Sequence, residues 1–426
     1  MYEIRQARKL EGEVDLIGDK SISHRAVMFG SIAEGETRIK NFANSQDCLS
    51  TVDAFKQMGI DINIDGDRVI VLGKGLLGLK KPNGPVYVGN SGTTMRMLLG
   101  ILAGQSFDCT LTGDRSLSSR PMSRVVNPLR QMGAQIDGRE RGEFAPLAIK
   151  GAKLRPIVYD MPISSAQVKS SILLGGLYAD GITTVREKVR SRDHTERMLK
   201  LFGADLKVEG LSVSIKGRTN LKGQDIEVPN DISGASFFIV GATLLKGSGI
   251  KMKSVLYNPT RTGVLEVLRK MGANIEIKNE KTLSAEPVCD LEVLSGELHG
   301  IEITPEMIPS LIDEIPIIMV AASLAKGKTV IRGAKELRVK ETDRIKSLTT
   351  NLIRMKAQIS VEGDDITING SKELQAADLQ SYGDHRTAMS MIIAALTAKG
   401  VSNISDVACI DISFPGFLDI LKNITR

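Results

Sequence analysis

The sequence predicts an α/β fold of repeated α+β units, grouped as two similar three-unit halves, and three observations predict it. First, an apolar, helix-like segment ends in a glycine and passes into a short strand at six places, marked by Gly35, Gly104, Gly181, Gly247, Gly327 and Gly400. Their separations of 69, 77, 66, 80 and 73 residues indicate one supersecondary unit copied along the chain. Second, an amphipathic helix ends in Met-Gly or Phe-Gly between those glycines, and an alternating strand follows, as in AFKQMGIDINI (54–64) and VLRKMGANIEI (267–277). Third, 426 residues exceed one comfortable core, so two domains of roughly 200 residues are expected.

Each unit reads as strand, helix, strand, strand or turn, strand, helix. The first begins with a helix over 22–34. Gly59, Gly133, Gly203 and Gly272 stand where a helix C-terminus needs left-handed backbone; the fifth copy has Lys356 there, so its cap is expected to differ. The spacing of Val264, Leu265, Leu268 and Met271 is a helix face, and Ile275 with Ile277 is a half-buried strand. The sixth unit runs out of chain after FPGFLDILKNI, while the N-terminus carries spare strand-like pieces, YEIRQAR and EVDLIG. These strands are read as completing the last unit, since six units without closure would leave its apolar face uncovered. The predicted domains are a discontinuous one, 1–18 with 229–426, and a continuous one, 19–228, joined near Asp19 and Pro229 by two crossings that act as a hinge.

Composition narrows the function. Apolar residues make up 42% and charged residues 25%, with no Trp and a net charge of +6, so the chain presents a mild positive field suited to small anions. The dense basic stripe with stacking aromatics of a nucleic-acid binder is absent. Cys48, Cys109, Cys289 and Cys409 are scattered without CxxC and are read as reduced and buried; the four histidines form no zinc pattern, and no metal or cofactor is expected. No signal core or transmembrane run is legible, which fits a cytoplasmic protein.

The chemistry concentrates at the starts of the six apolar helices: GDKSISHR (18–25), GNSGTTMR (89–96), PISSAQVK (162–169), PNDISGAS (229–236), LIDEIPII (311–318) and GDHRTAMS (383–390). Taken singly, their Ser, Asp and Asn residues are N-caps. Taken together, helix N-termini facing one interdomain cleft would sum to about three positive charges. Lys20, Arg25, Arg96, Lys169 and Arg386 stand at or just inside these starts. LRVKETDR (337–344) adds Lys340, Glu341 and Arg344, with Lys340 and Arg344 expected on one helical side and Glu341 beside them, a carboxylate among cations that can move protons next to a bound anion. Gly89 and Gly92 let backbone approach a ligand, but GNSGTT is not a P-loop, and no GxSxG elbow supports a hydrolase.

GDKSISHR, GNSGTTMR, SSRPM, SSAQVKS, SRDHTE, LIDEIP, LRVKETDR and GDHRTAM, in this order and nearly end to end, resemble the 5-enolpyruvylshikimate-3-phosphate synthase family of enolpyruvyl transferases. The resemblance implies two domains of three βαβαββ units each. It implies transfer of the enolpyruvyl group of phosphoenolpyruvate to the 5-hydroxyl of shikimate 3-phosphate with release of phosphate, by a cytoplasmic monomer inhibited by glyphosate. By motif, Lys20, Ser21, Arg25, Ser165, Gln167, Arg192, Asp313 and Lys340 would hold shikimate 3-phosphate. Lys20, Asn90, Gly92, Arg120, Gln167, Arg344 and Arg386 would hold phosphoenolpyruvate. Lys20, Asp313, Glu341 and His385 would be catalytic, with Asp313 accepting the 5-hydroxyl proton and Glu341 handling the proton at the methylene carbon. Two positions depart from some members: Ile412 stands near a place where those carry lysine, and Glu336 where those carry asparagine. The nearest rival is the sister UDP-N-acetylglucosamine enolpyruvyl transferase family, which carries a reactive cysteine in the loop where this chain has Asp114; Cys109 lies earlier and reads as core. An RNA-end enzyme or nucleic-acid binder built of related units would predict tight, salt-sensitive RNA binding, and a non-catalytic scaffold would leave Lys20, Asp313, Glu341 and His385 unexplained.

Overall fold

The computed structural model describes residues 1–426 and is mixed α/β, with six small sheets. The chain divides into two compact units: residues 18–228 with 283–286, and residues 1–17 with 229–282 and 287–426.

In the unit of residues 18–228, each sheet has four strands. A parallel pair is followed by two antiparallel neighbours, as in the order 158–160, 182–186, 212–216, 206–209. The strand Asp225–Glu227 returns to pair in parallel with Glu34–Lys40, so the last stretch of the unit completes its first sheet. The other unit closes differently from the expectation. Tyr2–Arg5 joins the last sheet, antiparallel to Val401–Ser405, but Glu11–Glu13 pairs in parallel with Gly249–Leu256, the fourth sheet in chain order. The N-terminal strands therefore divide between two sheets, and the last sheet has three strands.

Each unit is centred on three apolar helices. Those of the first are Lys20–Ile32, Gly92–Ala103 and Ala166–Gly176; those of the second are Ile232–Leu244, Ile315–Leu324 and His385–Thr397. Ile232–Leu244 is apolar on all sides and buries every residue from Ile232 to Thr243, the signature of a helix surrounded by protein. Gly100 permits the approach of its helix to Ala166–Gly176, because a Cβ there would come within 2.2 Å of the Ser171 carbonyl oxygen. In a chain with few aromatics, Phe237, Phe238, Phe414 and Phe417 gather with ring centroids 5.3–6.1 Å apart. Each such buried ring contributes up to about 3 kcal/mol. This cluster pins the helix Phe417–Ile424 to Ile232–Leu244.

The Met-Gly and Phe-Gly caps are left-handed as expected, with φ between 83° and 101° at Gly59, Gly133, Gly203 and Gly272. Lys356 adopts the same conformation, φ 69°, so the fifth cap does not differ; the turn geometry prevails over the residue's preference. Among the six periodic glycines, Gly104 is the exception, with φ −95°. Its lack of a side chain is a packing requirement, since a Cβ would lie 2.3 Å from the Tyr178 ring.

Candidate active site

The capping role expected of the helix starts holds for four of them. Asp19, Ser91, Asp231 and Asp384 accept hydrogen bonds from the first-turn amides of their helices. Ser165 precedes Ala166–Gly176 without a capping bond, and Glu314 precedes Ile315–Leu324 likewise.

In the unit of residues 18–228, the caps set cationic side chains beside the helix N-termini. Lys20 opens its helix with Nζ 2.9 Å from Asp47 Oδ2. Arg25, one turn on, is 3% exposed. It donates from Nε to Thr195 Oγ1 at 2.8 Å, from Nη2 to Ser170 Oγ at 3.1 Å and from Nη1 to the Ser21 carbonyl at 2.9 Å. Burial lowers its pKa to about 10, against the pull of Glu196 and Asp19, and Arg192 is close enough to add to the lowering. Arg25 therefore stays cationic at neutral pH.

A second group surrounds the 89–94 turn. Arg120, 7% exposed, donates from Nη2 to Asn90 Oδ1 at 2.5 Å and to Ser116 Oγ at 3.2 Å. The Asn90 amide donates to Asp114 Oδ2 at 2.6 Å, and Asp114 Oδ1 accepts from the Leu117 amide at 2.7 Å. Asp114 thus orients Asn90, which in turn orients Arg120. Beside them, Arg96 donates to Gln167 Oε1 at 2.8 Å and Gln167 to Thr93 Oγ1 at 3.0 Å. A Cβ on Gly92 would meet Arg96 Nη1 at 2.9 Å and Arg120 Nη1 at 3.5 Å. Gly92→Ala should therefore displace the Arg96 guanidinium without backbone strain, while Arg120 stays at ordinary contact distance.

The other unit gathers Asp313, Lys340, Glu341, Arg344, Asp384 and Arg386. Arg344, 1% exposed, donates from Nε to Asp384 Oδ2 at 2.8 Å and from Nη2 to Glu341 Oε2 at 2.6 Å, and its Nη1 is 3.5 Å from Asp313 Oδ1. Burial opposes its charge, but Asp384, Glu341 and Asp313 prevail and hold its pKa above the ordinary value. Lys340 Nζ is also 3.5 Å from Asp313 Oδ1, and Arg386 Nη1 donates to the Asp313 carbonyl at 2.9 Å. Three cations therefore compensate the Asp313 carboxylate. The expected helical pairing of Lys340 with Arg344 is not how they meet. Lys335–Val339 is a short 3-10 helix, Lys340 is extended, and Arg344 opens the next helix; the two meet only through Asp313. His385 is 1% exposed at the start of its helix. Ile412 is half-buried at the end of the 3-10 turn Val407–Ile412, and Glu336 is half-buried in the earlier one.

The four cysteines are free and buried, and burial pushes their thiols up: Cys109 and Cys409 to about 11, Cys289 to about 12, Cys48 further. None is poised as a nucleophile. Asp193, His194 and Glu286 bring ligand atoms within 4.8 Å of one another, a spacing a cation could use. However, the Arg197 guanidinium, 2.9 Å from Asp193 and 3.9 Å from Glu286, already supplies the positive charge there.

Cations at capped helix N-termini and carboxylates held among them define an enzyme of acid–base chemistry on small anionic metabolites. The family model for EPSP synthase (3-phosphoshikimate 1-carboxyvinyltransferase) matches residues 4–421. A 3-phosphoshikimate 1-carboxyvinyltransferase of Brevibacillus brevis is 50% identical over 426 residues, covering 100% of both chains, and one of Geobacillus kaustophilus is 50% identical over 417 residues, 97% of this chain and 98% of the relative. The structure of EPSP synthase from Acinetobacter baumannii superposes with a TM-score of 0.89 at 43% identity, covering 99% of this chain and 98% of that one. The chain belongs to the EPSP synthase family. It transfers the enolpyruvyl group of phosphoenolpyruvate to the 5-hydroxyl of shikimate 3-phosphate and releases phosphate, on the route to chorismate and the aromatic amino acids. The UDP-N-acetylglucosamine alternative is not favoured. No helix is long and apolar enough to cross a membrane.

Proposed function

We propose that the reaction runs on the residues named by motif, with the two groups of side chains dividing the work. Arg25, Ser21, Ser165, Gln167 and Arg192 hold shikimate 3-phosphate, with Ser165 and Arg192 at its phosphate. Lys20, Asn90, Arg120 and Arg386, with the backbone at Gly92, hold phosphoenolpyruvate. Asp313 accepts the proton of the 5-hydroxyl as its oxygen attacks C2, and Glu341 delivers a proton to C3, giving a tetrahedral adduct. Glu341 then recovers that proton as the C–O bond to phosphate breaks. Lys340 and His385 complete the cluster. The surrounding cations position both anions and stabilise the charge on the departing phosphate.

The observation that carries this reading is the Asp313 carboxylate set among Lys340, Arg344 and Arg386, with Glu341 on the same arginine. It offers an acceptor and a donor for protons within one charged cluster. Arg344 fits the phosphoenolpyruvate role least directly, because an anion could reach it only by exchanging with Glu341 or Asp313. Its place among three carboxylates supports a role in holding the proton-transfer groups.

The mildly basic surface and the absence of any nucleic-acid motif support small-molecule substrates alone, and we take the protein to be a cytoplasmic monomer. The test is phosphate release from phosphoenolpyruvate with shikimate 3-phosphate and with UDP-N-acetylglucosamine side by side. Release only with the former is expected; release with the latter alone would overturn the assignment.

A further inference from the structure

Lys169 stands two residues beyond Gln167, on the helix Ala166–Gly176, and its sequence position groups it with the anion-facing cations. Its surroundings are different. The side chain is 1% exposed, and its ammonium lies 2.8 Å from Glu187 Oε2 and 2.6 Å from Glu196 Oε1, carboxylates that are themselves 3% and 5% exposed. One buried lysine between two buried glutamates is a poor way to gain stability, because desolvating each ion costs several kcal/mol that apolar side chains would not incur. Burial pushes the Glu196 carboxyl up, against the pull of Lys169. Such a cluster is better explained by the geometry it imposes.

Its remaining bonds show what it holds. Glu187 Oε1 accepts from the Ser191 amide at 3.2 Å and from the Ser191 hydroxyl, and Lys169 Nζ donates to the Ser191 carbonyl at 3.4 Å. Both backbone polar groups of Ser191 are thus tied to the cluster, and Ser191 is the residue before Arg192. Glu196 lies on the following helix, His194–Leu201. On that helix the Thr195 hydroxyl accepts from Arg25 Nε and shares a 2.6 Å bond with Ser170. Lys169, Glu187 and Glu196 also line a cavity of about 510 Å³, so close packing alone does not hold the turn in place. None of the hydrogen bonds of Asn90, Arg96 or Arg120 described above involves this cluster.

We propose that Lys169 is a positioning residue for shikimate 3-phosphate: through Glu187 and Ser191 it sets the turn that presents Arg192, and through Glu196 it seats Thr195 against Arg25. This rests on the reading of Arg192 and Arg25 as contacts of that substrate. Loss of Lys169 should therefore weaken one substrate and spare the other.

The experiment compares the full-length enzyme with Lys169→Met, Lys169→Arg, Ser191→Ala and Arg192→Ala, measuring kcat and the KM of each substrate, with thermal unfolding alongside. We expect Lys169→Met to raise the KM for shikimate 3-phosphate roughly tenfold while the KM for phosphoenolpyruvate and kcat change less than about threefold. Lys169→Arg should recover most of the loss. Ser191→Ala, which deletes only the hydroxyl tie, should show the same selective rise at smaller size, and it keeps the test open if Lys169→Met does not accumulate. If Arg192→Ala raises the KM for shikimate 3-phosphate but Lys169→Met and Ser191→Ala do not, the positioning role is wrong. If Arg192→Ala itself leaves that KM unchanged, the reading of Arg192 is wrong instead. Equal rises in both KM values, with a lowered melting temperature, would make Lys169 a general structural residue and overturn the proposal.

Discussion

Asp313→Ala is expected to lower kcat by about a thousandfold while the dissociation constant for shikimate 3-phosphate changes only a few-fold, the pattern of a lost proton acceptor. The carboxylate meets Lys340 and Arg344 through Oδ1, each at 3.5 Å, and Arg386 through Oδ2 at 4.0 Å. These contacts are long, and a substrate hydroxyl can compete with them. Removing the carboxylate leaves one more net positive charge in the cluster, which favours an anionic substrate electrostatically, so binding is not expected to collapse with turnover. Pre-steady-state phosphate release and equilibrium titration separate the two quantities. Equal losses in turnover and affinity would assign Asp313 to binding and not to proton transfer.

Arg344→Met is expected to cost stability as well as activity. It removes the guanidinium donor to Oδ2 of the fully buried Asp384, and it frees Glu341 from its 2.6 Å bond. Breaking a buried pair from one side costs about 3–5 kcal/mol. A melting-temperature drop of about 3–6 °C follows for a protein of this size. The sign with pH is set by the raised pKa of Arg344. A raised folded pKa contributes stability that is fully present below the unfolded value and is lost only as pH rises through the folded one. The gap between wild type and variant should therefore stay flat from about pH 6 to 9. Calorimetry showing a drop under about 2 °C would mean that the carboxylates find other partners.

Local signals were well legible in the sequence. The periodic glycines marked the units, four of the six helix starts carried real Ser or Asp caps, and the scattered cysteines proved to be buried. Three kinds of feature were not legible, for physical reasons. Backbone conformation at Lys356 follows from the turn and not from the residue, so the missing glycine misled. Strand partners are chosen over long separations, so the destination of Glu11–Glu13 could not be read from its own pattern. The side chains that orient the site, Asp47 for Lys20, Asp114 for Asn90 and Asp384 for Arg344, lie 24–40 residues from their partners. Only the fold brings each pair together. Lys169 shows the converse, since its place in the motif suggested an anion contact and its neighbours are two glutamates.

The short segment Leu283–Glu286 belongs with residues 18–228, although the strands on either side of it, Asn274–Leu283 and Glu286–Leu294, pair within the other unit's sheet. Glu286 Oε1 lies 2.7 Å from Nδ1 of the fully buried His194, Arg197 donates to the Ala285 carbonyl at 3.2 Å, and the Glu227 amide donates to Ser284 Oγ at 2.8 Å. A gene fragment ending at residue 228 would therefore encode an incomplete module, with an imidazole sealed in its interior and its carboxylate left on another polypeptide. Recombining halves of related enzymes at that boundary carries the same penalty unless the four-residue insert travels with its host.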